Sequence, residues 1–278
     1  MKILDGKLLS CKIKDEIKAV ADSYHQTPIL AVITIGDDEA SKVYVANKRK
    51  ACEYVGMSMM HFDYADCVKE EVVIKKIKEL NKDKTVNGIL LQLPLPEGFN
   101  KRKIINAIDP LKDVDGLSET SLGRLFINYD TFIPCTPKGI LELIDYYKID
   151  LEGKHVVIVG RSELVGKPLM IECLKRNATV TMCHTKTKDL KHYTLDADIL
   201  VVACGKKHLI DESMVKDGVV IIDVGINRVD GKIYGDVTDE AKEKASYATP
   251  VPGGVGPMTV VMLLKNTMDA YIIQNSEQ

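Results

Sequence analysis

Tyr44 and Lys48 stand four residues apart within Ser41 to Val55, where Val43, Asn47, Ala51 and Val55 recur at helical spacing. A phenol and an amine therefore stack on one helix face. Such a pair suits acid–base work, because burial and neighbouring charges tune a lysine readily. The plainer reading of Lys48-Arg49-Lys50 is a solvated helical face. Gln92 is the one polar residue of Gly88-Ile89-Leu90-Leu91-Gln92-Leu93 and sits at its carboxyl end, where parallel sheets place ligands. A buried amide must find partners, so Gln92 either caps local backbone or orients a functional group. Lys112-Asp113-Val114-Asp115-Gly116 adds two acids: one could partner a lysine, or the run is an Asx-type turn into Gly116.

A second candidate site is Gly160-Arg161-Ser162-Glu163-Leu164-Val165-Gly166, which follows the apolar run His155 to Val159. A glycine at a strand end lets the backbone approach a pyrophosphate, and the next helix offers free N–H groups. Ser162 replaces the middle glycine of the usual dinucleotide fingerprint, so a simple strand-to-helix turn also fits. An NAD site would place an acid about 20 residues further on. Here that position is Cys183-His184-Thr185-Lys186-Thr187-Lys188, with no carboxylate before Asp189, and Arg161 lies beside the turn. Hydroxyls and cations favour a 2′-phosphate, hence NADP, although Lys186 and Lys188 also read as a solvated loop. Pro250 to Thr259 (PVPGGVGPMT) forms a stiff loop at a helix start, suited to a flat ligand or to a tight crossing between lobes. The Y-x-x-x-K pair also marks short-chain dehydrogenases, but there it lies downstream of the glycine-rich turn. Here it precedes the turn by more than a hundred residues, so that family does not fit.

The elements that must carry these residues alternate. Ile29 to Ile35, Met57 to Tyr64 and Gly88 to Leu93 read as strands, with helices over Ser41 to Val55 and Val68 to Leu80. After Asp109 to Thr136 and a helix over Lys138 to Tyr147, strands are expected at 155–160, 179–183, 199–203 and 219–224, with a helix over 164–176. A last amphipathic helix spans Met258 to Ile273. Alternating strands and helices imply α/β architecture with parallel, doubly wound sheets. Two lobes with a cleft between them follow: an amino-terminal catalytic domain over 1–118 and a Rossmann-type domain over 119–278, the helix at 258–273 packing back on the first. In 278 residues, 38 Lys and Arg against 40 Asp and Glu give a net charge of −2, with no field for nucleic acid or anionic membrane. No apolar run approaches the ~20 residues a bilayer span needs. The amino end meets Asp5 and Gly6 before any signal-type core, and the seven cysteines include no C-x-x-C pair. The expectation is reduced thiols in a cytoplasmic protein, with no metal site.

Together these segments resemble the bifunctional methylenetetrahydrofolate dehydrogenase/methenyltetrahydrofolate cyclohydrolase family. The matching runs are Tyr44 to Ala51 (YVANKRKA), Gly88 to Pro96 (GILLQLPLP), Lys112 to Gly116 (KDVDG), Pro134 to Gly139 (PCTPKG), Gly160 to Pro168 (GRSELVGKP), Asp223 to Arg228 (DVGINR) and Thr249 to Thr259 (TPVPGGVGPMT). The resemblance implies a homodimeric enzyme of one-carbon metabolism. It would oxidise 5,10-methylenetetrahydrofolate with NADP+ and hydrolyse the methenyl cation to 10-formyltetrahydrofolate. It implies that Lys48 handles protons in the hydrolysis, Tyr44 meets the folate near the reacting carbon, Gln92 holds Lys48, and Asp115 binds the donor edge of the pterin. Leu91, Leu93, Pro252, Gly253, Gly254 and Pro257 would line the folate site, and Gly160, Arg161, Ser162, Thr185 and Ile226 the cofactor site.

Two departures stand out. Ala203 to Ile210 (ACGKKHLI) carries Lys207 and His208 where the family has proline and glycine, and Ser118 stands where it often has histidine. A cyclohydrolase with weak or absent dehydrogenase activity is therefore an alternative. A shikimate-type two-lobed dehydrogenase and a non-catalytic NADP-binding module are others. The first would lack GILLQLPLP and PGGVGP, and the second has no need of Tyr44, Lys48, Gln92 and Asp115 at once.

Overall fold

The computed structural model describes residues 1–276. Its elements begin with β1 (Lys2–Ile3), α1 (Gly6–Ala21), β2 (Ile29–Ile35), α2 (Glu39–Tyr54), β3 (Ser58–Tyr64), α3 (Glu70–Lys82) and β4 (Gly88–Leu91). Next come α4 (Lys101–Ile105), α5 (Glu119–Phe126), α6 (Cys135–Tyr146), β5 (His155–Val159), α7 (Gly166–Lys175), β6 (Thr179–Cys183), α8 (Leu190–Leu195) and β7 (Ile199–Val202). The chain ends with β8 (Val220–Asp223), β9 (Asn227–Val229), β10 (Lys232–Tyr234), α9 (Asp239–Glu243), β11 (Tyr247–Ala248) and α10 (Val255–Ser276). Two compact units result, each discontinuous in sequence. One takes Met1–Ser10 and Thr136–Thr259, the other Cys11–Cys135 and the residues from Val260 onward.

In the second of these units β2 is the centre of a parallel sheet ordered β3-β2-β4. Leu30 to Ile35 are all buried, the mark of a parallel strand covered on both faces. α3 contributes Val73, Ile77 and Leu80, at i, i+4 and i+7, to a core with Ala31, Ile33, Ile89 and Ile104. α2 starts where the Asp38 carboxylate accepts the Ser41 N–H at 2.7 Å. Its buried stripe is Val45, Ala51, Cys52 and Val55, while Val43 is 50% exposed. The four-residue spacing thus marks the helix, but the inner face is not the row it picks out. Asn266 of α10 is fully buried and donates from Nδ2 to the carbonyls of Val114 at 2.8 Å and Ile133 at 3.1 Å.

The other unit carries six parallel strands in the order β1-β11-β8-β7-β5-β6. From β5 the chain passes to β6 on one side and then returns to β7 on the other, so the order reverses between β5 and β7. That reversal is the switch point at which doubly wound sheets open a ligand crevice beyond their strand ends. The α/β class with parallel sheets is as the alternation predicts. α7 begins at Gly166, two residues later than expected, because Glu163 to Val165 form a turn, and α6 begins at Cys135, three residues earlier.

Replacing Asn266 with Leu removes the amide donor from two carbonyls and leaves Val114 only the weak Cys135 thiol at 3.5 Å, a loss of about 1–3 kcal/mol for a buried group left unsatisfied. The denaturant midpoint of the Asn266→Leu protein should therefore fall with little change in m; an unaltered midpoint would show that these bonds contribute nothing net.

Candidate active site

Lys48 occupies the middle of α2, half-buried, and its Nζ donates to Gln92 Oε1 at 2.6 Å. Gln92 follows β4 directly, and its Nε2 donates to the Leu93 carbonyl at 2.7 Å. A carbonyl can only accept, so this bond fixes which way the amide points and leaves Oε1 for the amine. Both expectations for Gln92, a backbone cap and an orienting group, are met by opposite ends of one amide. Tyr44 stands one turn before Lys48 and is 37% exposed. Leu91 is buried in the sheet core and Leu93 packs against its edge.

The two acids of KDVDG divide the roles that the sequence leaves open. The Asp113 carboxylate is buried and accepts from the Leu117 N–H at 3.2 Å, the Ser118 N–H at 2.8 Å and the Ser121 hydroxyl at 2.7 Å. It is the turn-forming acid. Ser118 belongs to the same network, capping α5 through the Ser121 N–H at 3.1 Å. Asp115 is half-buried, and both the thiol and the backbone N–H of Cys135 hydrogen-bond to its carboxylate. Burial pushes Asp115 up from the usual carboxylate range, opposed first by the charge of Lys48. Burial likewise lowers Lys48, and Asp115 is the strongest influence holding it up. Each group is thus moved toward its neutral form by lost water and toward its charged form by the other. An amine so placed can both release and accept a proton.

Lys48, Gln92, Asp115 and Tyr44 share one unit; Pro252, Gly253, Gly254 and Pro257 belong to the other, with the five expected cofactor residues. There Pro257 lies in the first turn of α10, and the Gly253 carbonyl accepts the Lys7 N–H at 2.9 Å. Gly160 ends β5 with φ +128°, and a Cβ on it would fall 2.4 Å from the Ala203 carbonyl oxygen. A Cβ on Gly166 would fall 2.1 Å from the Gly160 oxygen, so the turn closes onto the start of α7 only with glycine there. Arg161 and Ser162 are exposed on this turn, and Ser162 Oγ accepts the Val165 N–H at 3.1 Å. Past β6, Thr185 is exposed, and the His184 N–H is fixed by Thr187 Oγ1 at 2.8 Å. Asp189, the first carboxylate in this stretch, caps α8. Cations therefore outnumber free carboxylates at the β6 end, which fits a 2′-phosphate. Ile226 is 45% exposed beyond β8.

Three neighbours of the site were not singled out from sequence. Cys135 touches Asp115, Cys52 lies close enough to act on the charge of Lys48, and Asn266 pins the segments carrying Asp115 and Cys135. Asn266 sits among other polar residues of α10, between Lys265 and Thr267, so neither it nor the cysteines left a signal beyond their identity.

A parallel switch-point sheet with a glycine-tight strand-to-helix turn in one unit, and a tuned lysine in the other, is the combination expected of a dinucleotide-dependent enzyme. Residues 4–115 match the catalytic domain of tetrahydrofolate dehydrogenase/cyclohydrolase, and residues 134–275 its NAD(P)-binding domain. The chain is 52% identical over 273 residues to the bifunctional protein FolD of Agathobacter rectalis, covering 96% of this chain and 98% of that one. Among solved structures it resembles the bifunctional FolD of Campylobacter jejuni, with TM-score 0.96, 45% identity and full coverage of both chains. It also resembles the Trypanosoma brucei methylenetetrahydrofolate dehydrogenase-cyclohydrolase complexed with NADP cofactor and inhibitor, with TM-score 0.93, 32% identity and coverage of 99% and 98%. The chain belongs to the tetrahydrofolate dehydrogenase/cyclohydrolase family. That membership sets aside the shikimate-type and non-catalytic alternatives, and the bifunctional reading is favoured over the cyclohydrolase with a weak dehydrogenase.

The charge on Asp115 raises the Lys48 pKa, so Asp115→Asn must lower it and enlarge the neutral amine fraction at any given pH. The midpoint for acylation of Lys48 by acetic anhydride, followed by peptide mass spectrometry, should move down by about one pH unit or more. An unmoved midpoint would show that the carboxylate does not act on the amine.

Proposed function

We propose that the protein catalyses both reactions of its family on tetrahydrofolate derivatives, with Lys48 as the proton-handling group. One observation carries the reading: Lys48 Nζ sits 2.6 Å from an amide oxygen of fixed orientation, while burial and Asp115 pull its proton affinity in opposite directions. NADP+, when bound, supplies the hydride acceptor that turns the methylene bridge of 5,10-methylenetetrahydrofolate into the methenyl cation. Ring nitrogen lone pairs stabilise that cation as it forms, so the chain need only hold the reacting carbons in contact.

The second reaction needs more. Water adds to the cationic carbon and loses one proton to neutral Lys48; as the carbon–nitrogen bond breaks, that proton is passed to the departing ring nitrogen, and the proton left on the added oxygen is released to solvent as the formyl carbonyl forms. Gln92 holds the amine in place throughout. Tyr44 meets the folate beside the reacting carbon, and Asp115 takes the donor edge of the pterin. The main-chain and apolar groups of Leu91, Leu93, Pro252, Gly253, Gly254 and Pro257 line the folate. Gly160, Arg161 and Ser162 hold the cofactor phosphates, with Thr185 toward the 2′-phosphate and Ile226 against the nicotinamide. The unit with Lys48 is the folate domain and the unit with Gly160 the cofactor domain. The protein works as a cytoplasmic homodimer, a reading that rests on its family resemblance; none of its seven cysteines forms a disulfide, and no described helix is long and apolar enough to cross a membrane.

Lys48→Met should lower methenyltetrahydrofolate hydrolysis by roughly 10²–10⁴-fold, the range of a lost acid–base group, while NADP+ affinity stays unchanged. Unchanged hydrolysis would refute the role. In the wild-type protein, absorbance assays with methylenetetrahydrofolate should show faster turnover with NADP+ than with NAD+.

A further inference from the structure

Beyond β7 the chain turns through Ala203 to Lys206, on the opposite side of β5 from β6. The dinucleotide placement proposed above puts the pyrophosphate on the Gly160 turn and the adenosine ribose toward the β6 end. The nicotinamide half must then lie on the β7 side, along Ala203 to Lys206. This segment has little secondary structure of its own, and a single carboxylate holds it. Asp236 is fully buried. Its Oδ2 accepts the N–H groups of Cys204 at 2.7 Å and Gly205 at 2.9 Å; its Oδ1 accepts the Lys206 N–H at 2.8 Å and Asn227 Nδ2 at 2.8 Å.

Asp236 is itself fixed from behind. Asp223, buried and paired with Lys242 at 2.8 Å, accepts the backbone N–H groups of Asp236 at 2.9 Å and Val237 at 3.2 Å. A Cβ at residue 235 would fall 1.8 Å from Asp223 Oδ2, so only Gly235 allows the two segments to meet. Two more contacts tie the loop down. The Cys204 thiol donates to the Val159 carbonyl at 3.2 Å; burial pushes it up to about 11, so it keeps its proton at neutral pH. Lys207 lies over the Tyr234 ring at 3.5 Å, and His208, at φ +53°, meets the same ring edge-on at 5.6 Å. The two residues that depart from the family pattern thus fasten the loop to β10, and His208 does so from a left-handed backbone that glycine would adopt without strain.

We propose that Asp236 is a positioning residue for hydride transfer: its carboxylate sets the 204–206 backbone against which the nicotinamide rests, and it serves the dehydrogenase and not the cyclohydrolase. Asp236→Asn keeps the shape but leaves one acceptor oxygen where there were two, and its NH2 faces N–H donors. Because misplacement by about 1 Å can reduce a transfer 10²-fold, dehydrogenase kcat should fall by about 10–100-fold. Methenyltetrahydrofolate hydrolysis by the same preparation should be unchanged, and Asp236→Glu should recover part of the loss by restoring both oxygens. Equal loss of both activities, or an unaffected dehydrogenase, would overturn the role. Hydrogen exchange on the wild-type protein tests it without any variant: the amides of Cys204, Gly205 and Lys206 should be protected in the absence of ligand, and exchange at open-loop rates would overturn it. NADP+ should add protection at 161–166. Its absence there would sink the cofactor placement and the proposal together, whereas protection there with equal loss of both activities sinks the positioning role alone.

Discussion

Holding an amine partly out of water without letting it wander is the constraint around which the unit with Lys48 is arranged. Burial alone would strip the proton from Lys48, and a nearby carboxylate alone would fix it there as an ordinary ion pair. The structure applies both influences and adds a neutral acceptor at 2.6 Å. Because Gln92 is committed to the Leu93 carbonyl through Nε2, it cannot rotate to present a donor to the amine without breaking that bond. The strand end places Gln92, the Asp38 cap starts the helix that places Lys48, and the Cys135 contacts place Asp115.

Lys112 shows that burial by itself does not make a reactive lysine. It too is lowered by desolvation, but its Nζ donates to the carbonyls of Leu80 at 2.9 Å and Asp83 at 2.7 Å. Those partners reward the protonated form and belong to closed backbone, so Lys112 joins the end of α3 to the KDVDG loop and does nothing else. Asp113 and Asp115 differ in the same way. Two backbone N–H groups and a hydroxyl occupy the Asp113 carboxylate, whereas Asp115 faces groups that can exchange protons.

Much of this was legible in residue order alone. The buried strand at 29–35, the strand at 179–183, the alternation that makes the sheets parallel, and the pairing of Lys48 with Gln92 all follow from local pattern or motif. What escaped had no local pattern to give. β1 and β11 have two residues each and exist only because they extend an existing sheet edge, and the β9–β10 hairpin is too short and polar for alternation to show. The spacing of Val43, Asn47, Ala51 and Val55 marks the helix but not its inner face, since Val43 faces water while Val45 and Cys52 are buried. The division of labour between Asp113 and Asp115 depends on which N–H groups the folded turn aims at each carboxylate, a property of the closed loop and not of its spelling.

The two chemistries ask different things of a fold, and the two units answer differently. Hydride transfer between stabilised carbons requires rigid placement and little proton traffic, and the unit with Gly160 has carboxylates that hold backbone still: Asp223 on Asp236 and Val237, and Asp236 on 204–206. Hydration of a cation requires a proton to leave water and reach nitrogen, and the unit with Lys48 holds one amine between the opposed influences of burial and charge. Backbone pinning occurs there as well, at Asp113, but one step removed from the reacting group. Lys207 and His208 pack on Tyr234 in one unit, whereas Gln92 and Asp115, which act on Lys48, lie in the other, so the residues on which each side depends do not overlap.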